Sequence, residues 1–263
     1  MARVLISGAS GLIGRRVIEA YRSRDGDDQV VPLGRADGDL LEHGAWRRVL
    51  DDQRPDVLIH LAWSASASPS YRDHGDNARW VDSTIEAAAL AADRGIHFVA
   101  TGTSVDESPA DDAYSRSKAA VRDALAEGIS AGDLAWLRPF YVFDEEGPSP
   151  AVLRAALEAK ATRTSVALAS PDARHDFVHA RDVGTAIRAV VDGGFTGAVD
   201  IGSGAVASVS ELVESYGCEW VTRGVPSASA ASDAAADVVA LRAAGWAPVV
   251  TDKRLGRRAD PSA

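Results

Sequence analysis

Cysteine is almost absent, with Cys218 alone in 263 residues. No disulfide can close within the chain, and a reducing cytoplasm is the expected setting. Lysine is nearly as scarce: Lys118, Lys160 and Lys253 leave 25 of the 28 basic residues as arginine. The arginine excess carries little functional meaning by itself, but it makes a lysine at a meaningful position more informative. Long apolar runs are missing as well. Stretches such as Val57 to Trp63 are far shorter than the ~20 residues that a bilayer requires. The opening Met1-Ala2-Arg3-Val4-Leu5-Ile6-Ser7-Gly8 has too short an apolar run for a signal peptide and leads straight into glycines. Positive charge is in deficit, with a formal net charge of −10. That balance argues against nucleic acid or an anionic membrane surface as a partner. An anionic small molecule would have to be met by locally placed arginines.

The N-terminal half alternates short apolar runs with amphipathic stretches, the pattern of βαβ units and a parallel sheet. Strands are expected at Arg3 to Ser7, Gln29 to Leu33, Asp56 to Leu61, Ile96 to Thr101 and Leu134 to Leu137. Helices are expected at Gly14 to Arg24, around Glu42 to Asp52, from about Asp76 to Arg94, and from near Tyr114. Later the alternation loosens. Helices are expected at Pro150 to Ala161 and Asp182 to Val191, a strand at Ala198 to Ile201, and a further helix from Val209. Residues 64–75 and 223–236 are rich in Ser and Ala and read as exposed or covering loops, and the tail after Arg254 as frayed.

Between the first strand and its helix lies Gly8-Ala9-Ser10-Gly11-Leu12-Ile13-Gly14. A turn of this kind brings backbone N–H groups and a helix N-terminus against a pyrophosphate, where Cβ atoms would block the approach. The loop residues Gly8, Ser10, Gly11, Leu12, Ile13 and Gly14 are therefore expected to bind a dinucleotide. The second strand ends at Leu33-Gly34-Arg35, where an NAD enzyme usually carries an acid for the ribose 2′-hydroxyl. Arg35, with Arg15 after the last glycine, suits a 2′-phosphate instead; the alternative is two solvated surface arginines. NADP(H) is thus preferred, with NAD(H) possible. Asp39-Leu40 lies where a carboxylate could meet the adenine amino group. His60-Leu61-Ala62-Trp63 closes the third strand beside the cofactor, with His60 expected to be packed rather than catalytic.

Tyr114 and Lys118, four residues apart in Tyr-Ser-Arg-Ser-Lys, share one helix face. An ammonium one turn away favours the phenolate and draws the tyrosine toward the working range of a proton relay. Thr101-Gly102-Thr103-Ser104 at the end of the fourth strand supplies a hydroxyl for the substrate oxygen, Thr103 first and Ser104 second.

In this order the pieces resemble the extended short-chain dehydrogenase/reductases, specifically the NAD-dependent epimerase/dehydratase group acting on nucleotide sugars. The resemblance runs from Val4 to about Val249. It takes in Asn77 and Leu137-Arg138-Pro139-Phe140-Tyr141-Val142-Phe143. It also takes in Arg174-His175-Asp176-Phe177-Val178-His179-Ala180-Arg181-Asp182-Val183, Asp200-Ile201-Gly202-Ser203-Gly204 and Ser208-Val209-Ser210-Glu211-Leu212.

The resemblance implies an α/β fold, a Rossmann doubly wound parallel sheet with a small C-terminal substrate-binding lobe. The sheet domain would span 1–143 and the lobe 144–263, with 174–202 returning to the sheet. A homodimer joined through helices is implied, and no metal. Tyr114 would be the general acid/base, with Lys118 tuning it and holding the nicotinamide ribose and Thr103 binding the reacting oxygen. Leu61, Ala62, Trp63, Asn77 and Pro139 would flank the cofactor. Ser104, Tyr141 and Arg174 would face a nucleotide-sugar substrate, Arg174 toward its diphosphate.

Three departures narrow the reaction. Only ten residues separate Thr103 from Tyr114, the chain is short for the group, and Ser104-Val105 stands where dehydratases carry an Asp-Glu pair after the threonine, with Asp106 and Glu107 displaced beyond. Dehydration is disfavoured. The leading expectation is a 4-ketoreductase of nucleotide-linked 4-keto-6-deoxysugars. A 4-epimerase with tightly bound NAD is the alternative, and a non-catalytic NAD(P)-binding regulator is disfavoured because both Tyr114 and Lys118 are kept.

Overall fold

The computed structural model describes residues 1–23, 26–64, 69–104, 112–146, 150–223 and 234–256, with backbone alone at 35, 69 and 70. Strand and helix alternate as β1 (Arg3–Ser7), α1 (Leu12–Arg22), β2 (Gln29–Leu33), α2 (Ala45–Gln53) and β3 (Val57–His60). The series continues through α3 (Asp76–Asp93), β4 (His97–Thr101), α4 (Ala113–Ala124), α5 (Ala126–Ala131) and β5 (Ala135–Pro139). Each expected element of this half is found within a few residues. The largest displacement is at α2, which starts at Ala45 because Gly44 stands in the left-handed region, at φ +73, and turns the chain just before it.

Apart from the edge strand β2, these strands are largely buried on both faces, which is why they read as apolar runs. Alternate side chains enter different cores. Val4, Ile6, Val57, Ile59, Val99 and Leu137 pack on one side, while Leu5, Leu58, Phe98, Ala100 and Trp136 pack on the other with Trp46, Leu50 and Trp80.

Beyond β5 come β6 (Tyr141–Phe143), α6 (Ala151–Thr162), β7 (Val166–Leu168), β8 (Arg174–His175) and β9 (Phe177–His179). The chain then forms α7 (Ala180–Asp192) and β10 (Gly197–Ile201). The last elements are β11 (Ala207–Ser208), α8 (Val209–Glu214), β12 (Trp220–Thr222), α9 (Val239–Ala243) and α10 (Val249–Arg254). β10 joins the main sheet beside β5, giving the order β2-β1-β3-β4-β5-β10 with all neighbours parallel. Three two-stranded ribbons, β6 with β9, β7 with β12 and β8 with β11, had not been expected from sequence. They surround a separate core of Phe143, Leu153, Ala156, Val166, Leu168, Phe177, Leu212 and Tyr216.

α7 presents Val183, Ala186, Ile187 and Val190 on one stripe and lies against α1. The approach is close because position 184 is glycine: a Cβ there would stand 2.4 Å from the Arg16 carbonyl oxygen. Among the described residues, no helix is long and apolar enough to cross a membrane. Of the loop expected at 64–75, Pro69–Asp73 form a 3-10 turn and residues 65–68 lie outside the described residues, as do 224–233 of the second loop, Asp106, Glu107 and the tail beyond 256.

Gly184→Ala should force α1 and α7 apart and lower stability by about 1–3 kcal/mol, read as a reduced urea midpoint. An unchanged midpoint would show that the two helices are not tightly seated.

Candidate active site

β2 and β3 lie on opposite sides of β1, so a crevice opens beyond the carboxyl ends of β1 and β3. Gly8 follows β1 there, and Leu61-Ala62 follows β3. A Cβ on Gly8 would lie 2.7 Å from both the Ala62 nitrogen and the Leu61 carbonyl carbon, and its φ is +68. The Gly11 N–H donates to the Gly8 carbonyl at 2.9 Å and closes the turn. A Cβ on Gly14 would reach within 2.2 Å of that same carbonyl, so the first turn of α1 sits directly on the loop. Gly11 caps α1 without a side chain to accept from the first-turn N–H groups, and Ser10 and Gly11 are exposed. A helix N-terminus arranged in this way fits a pyrophosphate.

A buried chain of hydrogen bonds fixes the two strand ends. Thr84 spends its hydroxyl proton on the Trp80 carbonyl at 2.7 Å, so it accepts from His60 Nε2–H at 3.0 Å. His60 Nδ1 then accepts from the Ser7 hydroxyl at 2.7 Å. The Ser7 oxygen in turn accepts the Leu61 and Ala62 N–H groups at 3.2 and 3.3 Å. Full burial, with the Lys118 charge second, pushes His60 down to about 3. His60 is packed, as expected, and serves as a neutral strut.

At the end of β2, Arg35 opens a 3-10 turn, Arg35–Asp37. Asp37 accepts the Gly34 N–H at 2.8 Å, so this turn holds a carboxylate that the sequence pattern did not mark. Asp39 is exposed and accepts from the Leu41 N–H at 3.0 Å. Leu40 is buried, and its carbonyl accepts the Ser83 hydroxyl. Arg15 is directed to the lobe instead, donating to Asp144 at 3.0 Å.

α4 carries Tyr114 and Lys118 to the carboxyl end of β4. Its cap is Asp112, which accepts the Ser115 N–H at 2.8 Å and Arg72 at 2.9 Å. Burial pulls the Asp112 carboxyl up, but these donors outweigh it and hold it below the ordinary carboxylate value. Lys118 is 5% exposed. Its Nζ donates to the Thr101 carbonyl at 2.8 Å and stands 3.7 Å from the centre of the Trp63 ring. The Tyr114 ring meets Trp63 and Tyr71 edge-on, with centroids at 6.1 and 5.1 Å. Asn77 is buried; it accepts from Trp63 Nε1 at 2.8 Å and donates to the Tyr71 and Arg72 carbonyls. It thereby ties Trp63 to the 3-10 turn Pro69–Asp73.

Residues 102–104 lie along the end of β5. The Gly102 N–H donates to the Leu137 carbonyl at 2.7 Å, and the Ser104 N–H to the Pro139 carbonyl at 3.3 Å. Thr103 and Ser104 are half-buried on this edge. Tyr141 is 43% exposed, with its ring stacked on His175 at 4.0 Å. Arg174 is exposed on β8 and donates to the Val206 carbonyl at 3.4 Å.

Other motif residues are fasteners. Asp176 accepts from the Ser203 N–H and hydroxyl, and from the Gly204 and Ala236 N–H groups. Asp182 accepts from the Val249, Val250 and Thr251 N–H groups and the Thr251 hydroxyl. Asp144, Glu145 and His179 bring donor atoms within 4.8 Å of one another, but cations and donors from the protein already use the carboxylates. Asp144 binds Arg16 through two hydrogen bonds of 2.7 Å, and Glu145 takes His179, Tyr216 and Arg254. Burial would raise Glu145, yet His179 and Tyr216 hold it at about 2. A polar hollow of about 470 Å³ lined by Leu50, Asp51, Arg54, Pro55, Arg94 and Ile96 lies at the opposite edge of the sheet, since Pro55 and Ile96 precede β3 and β4.

The sequence model of the NAD dependent epimerase/dehydratase family matches residues 4–202. Comparison with curated proteins gave no match. Among solved structures, a GDP-L-fucose synthetase from Naegleria fowleri superposes with a TM-score of 0.76 at 15% identity, covering 97% of this chain and 91% of that one. A UDP-glucose 4-epimerase from Thermotoga maritima gives 0.75 at 20% identity, with 96% of each chain covered. A dTDP-4-dehydrorhamnose reductase from Clostridium acetobutylicum gives 0.65 at 16%, covering 84% and 82%. At such identities the likeness establishes the fold.

The neutral His60 strut has a pH signature. Its folded pKa is below the ordinary value of 6.5, so the unfolded chain binds the extra proton and stability is lost as pH falls from 6.5 toward 3. Unfolding in that window should take up about one proton more in the wild type than in His60→Gln, as measured by the pH dependence of urea unfolding. Equal proton uptake would mean that His60 is already charged in the folded protein.

Proposed function

Because the chain belongs to the NAD dependent epimerase/dehydratase family, we propose that it reduces a nucleotide-linked 4-keto-6-deoxysugar at C4, using NADPH. The observation that carries this reading is the Tyr114–Lys118 pair in α4, standing with Thr103 at the sheet edge that the glycine loop also faces. The dinucleotide, when bound, supplies the hydride. The first-turn N–H groups of α1 would hold its pyrophosphate, and Lys118 would hold its nicotinamide ribose.

The rest is proton handling by the chain. Thr103 donates a hydrogen bond to the substrate carbonyl oxygen. Tyr114 delivers its phenolic proton to that oxygen as the carbon becomes an alcohol carbon. The Lys118 ammonium one turn away stabilises the phenolate left behind until water returns the proton. Tyr141 and Arg174, on the lobe side, are the proposed substrate contacts, with Arg174 toward the diphosphate.

Reduction over elimination is supported by the displacement of the acidic pair, Asp106-Glu107, from the position directly after Thr103. Reduction over epimerisation is supported by Arg35, which offers a cation to a 2′-phosphate, although Asp37 in the same turn has the opposite sign. The choice of cofactor therefore turns on that corner.

Fluorescence titration should find NADPH bound more tightly than NADH. Arg35→Ala should weaken NADPH by about tenfold, the worth of a charge-assisted hydrogen bond, and leave NADH nearly unchanged. NAD that survives gel filtration, with no response to Arg35→Ala, would replace the reductase by the epimerase. Separately, Tyr114→Phe should lower kcat about 10²–10⁴-fold on nucleotide 4-ketosugars while cofactor binding persists; undiminished turnover would remove Tyr114 from the chemistry.

A further inference from the structure

Among the described residues, different parts of the chain converge on Lys118. Its own helix supplies Tyr114, the end of β4 supplies the Thr101 carbonyl at 2.8 Å, and the loop after β3 supplies the face of Trp63 at 3.7 Å. An ammonium at that height over an indole is in close cation–π contact, and the attraction is largest where water is excluded. Here the lysine is 5% exposed.

Trp63 is itself fixed. It stacks on Trp80 with centroids 6.1 Å apart and an interplanar angle of 26°. Its Nε1 donates to Asn77 at 2.8 Å, and Trp80 Nε1 donates to the Ser64 hydroxyl next along the chain at 2.9 Å. The same indole meets the Tyr114 ring at 90°. One side chain thus touches both members of the pair, and neither contact is implied by the Tyr-x-x-x-Lys spacing.

We propose that Trp63 is a positioning residue for the Tyr114–Lys118 pair, its face holding the Lys118 ammonium charged and its ring setting the Tyr114 phenol. The inference rests on the proposed function for its catalytic consequence, but not for its physical content. Other titratable groups among the described residues stand around the pair. His60 on β3 is neutral. Burial, the largest influence on Tyr71 in the 3-10 turn, keeps that phenol protonated beyond the ordinary range. Asp112 and Arg72 are paired with each other.

Lysine scarcity makes the test clean. Lysine-selective ¹³C labelling gives signals from Lys118, Lys160 and Lys253 only, and Lys118→Arg identifies the relevant one. Wild type, Trp63→Phe and Trp63→Leu are titrated without cofactor or substrate. Phe keeps a weaker aromatic face, whereas Leu keeps apolar cover alone. The Lys118 pKa should fall by about one pH unit in Trp63→Leu and by less in Trp63→Phe, with Lys160 and Lys253 unmoved.

In turnover, kcat should fall about tenfold in Trp63→Leu at unchanged KM, with Trp63→Phe recovering most of it. A Lys118 titration identical to wild type in folded Trp63→Leu overturns the proposal. If that variant does not fold, an unshifted Lys118 in Trp63→Phe overturns it. The titration needs no substrate, so a protein inactive on ketosugars would defeat the proposed reaction and leave this inference standing.

Discussion

Two strands must come together closely at the point where the chain leaves them in opposite directions, and the rest of the site is arranged around that approach. Gly8 touches the Leu61-Ala62 peptide at a distance that no Cβ survives. Just beneath, Ser7 and His60 exchange a buried hydrogen bond. Hydrophobic burial drives the sheet together, but it is non-directional and would tolerate a looser crevice. The hydrogen-bonded strut and the missing Cβ atoms turn a general collapse into a defined edge. The positions of α1, the loop carrying Trp63, and through Trp63 the Tyr114–Lys118 pair all follow from it.

Charge is used in two ways in this acidic protein. Most of the motif carboxylates are internal acceptors: Asp144 binds Arg16, Asp176 gathers the turn after β10, and Asp182 caps α10. Their partners are N–H groups, hydroxyls and guanidinium groups, and Asp176 needs small residues in the Gly202-Ser203-Gly204 turn that it gathers. Gly202 illustrates the need, because a Cβ there would lie 2.7 Å from the Asp176 carboxylate. The proposed catalytic edge, by contrast, is built from phenol, ammonium, hydroxyl and aromatic faces.

This division explains what could be read from the sequence. Strands buried on both faces are apolar without interruption, so β1, β3 and β4 were legible, and the glycine spacing located the loop between β1 and α1. Tyr114 and Lys118 were legible because a helix makes four-residue spacing a spatial statement. The ribbons of the lobe were not, since pairs of two or three residues have no periodicity to detect. Arg15 was expected near the adenosine ribose, but its direction depends on Asp144, 129 positions away. Trp63 was marked for its backbone; the role of its ring depends on Trp80, Asn77 and Lys118 together, which no local pattern encodes.

The capping of α10 by Asp182 bears on the order in which the molecule can be completed. A ribosome delivers the chain from its N-terminus, and domains tend to fold as they emerge. The central sheet lacks its last strand until residue 201 has been made, because β10 is its outer neighbour beyond β5. Asp182, 3% exposed in the finished protein, draws its donors from residues 249–251. Until that stretch is synthesised, the start of α7 carries a carboxylate that cannot be buried without uncompensated charge. The nascent sheet therefore waits, with one helix end still hydrated, for a segment nearly seventy positions later to lock it.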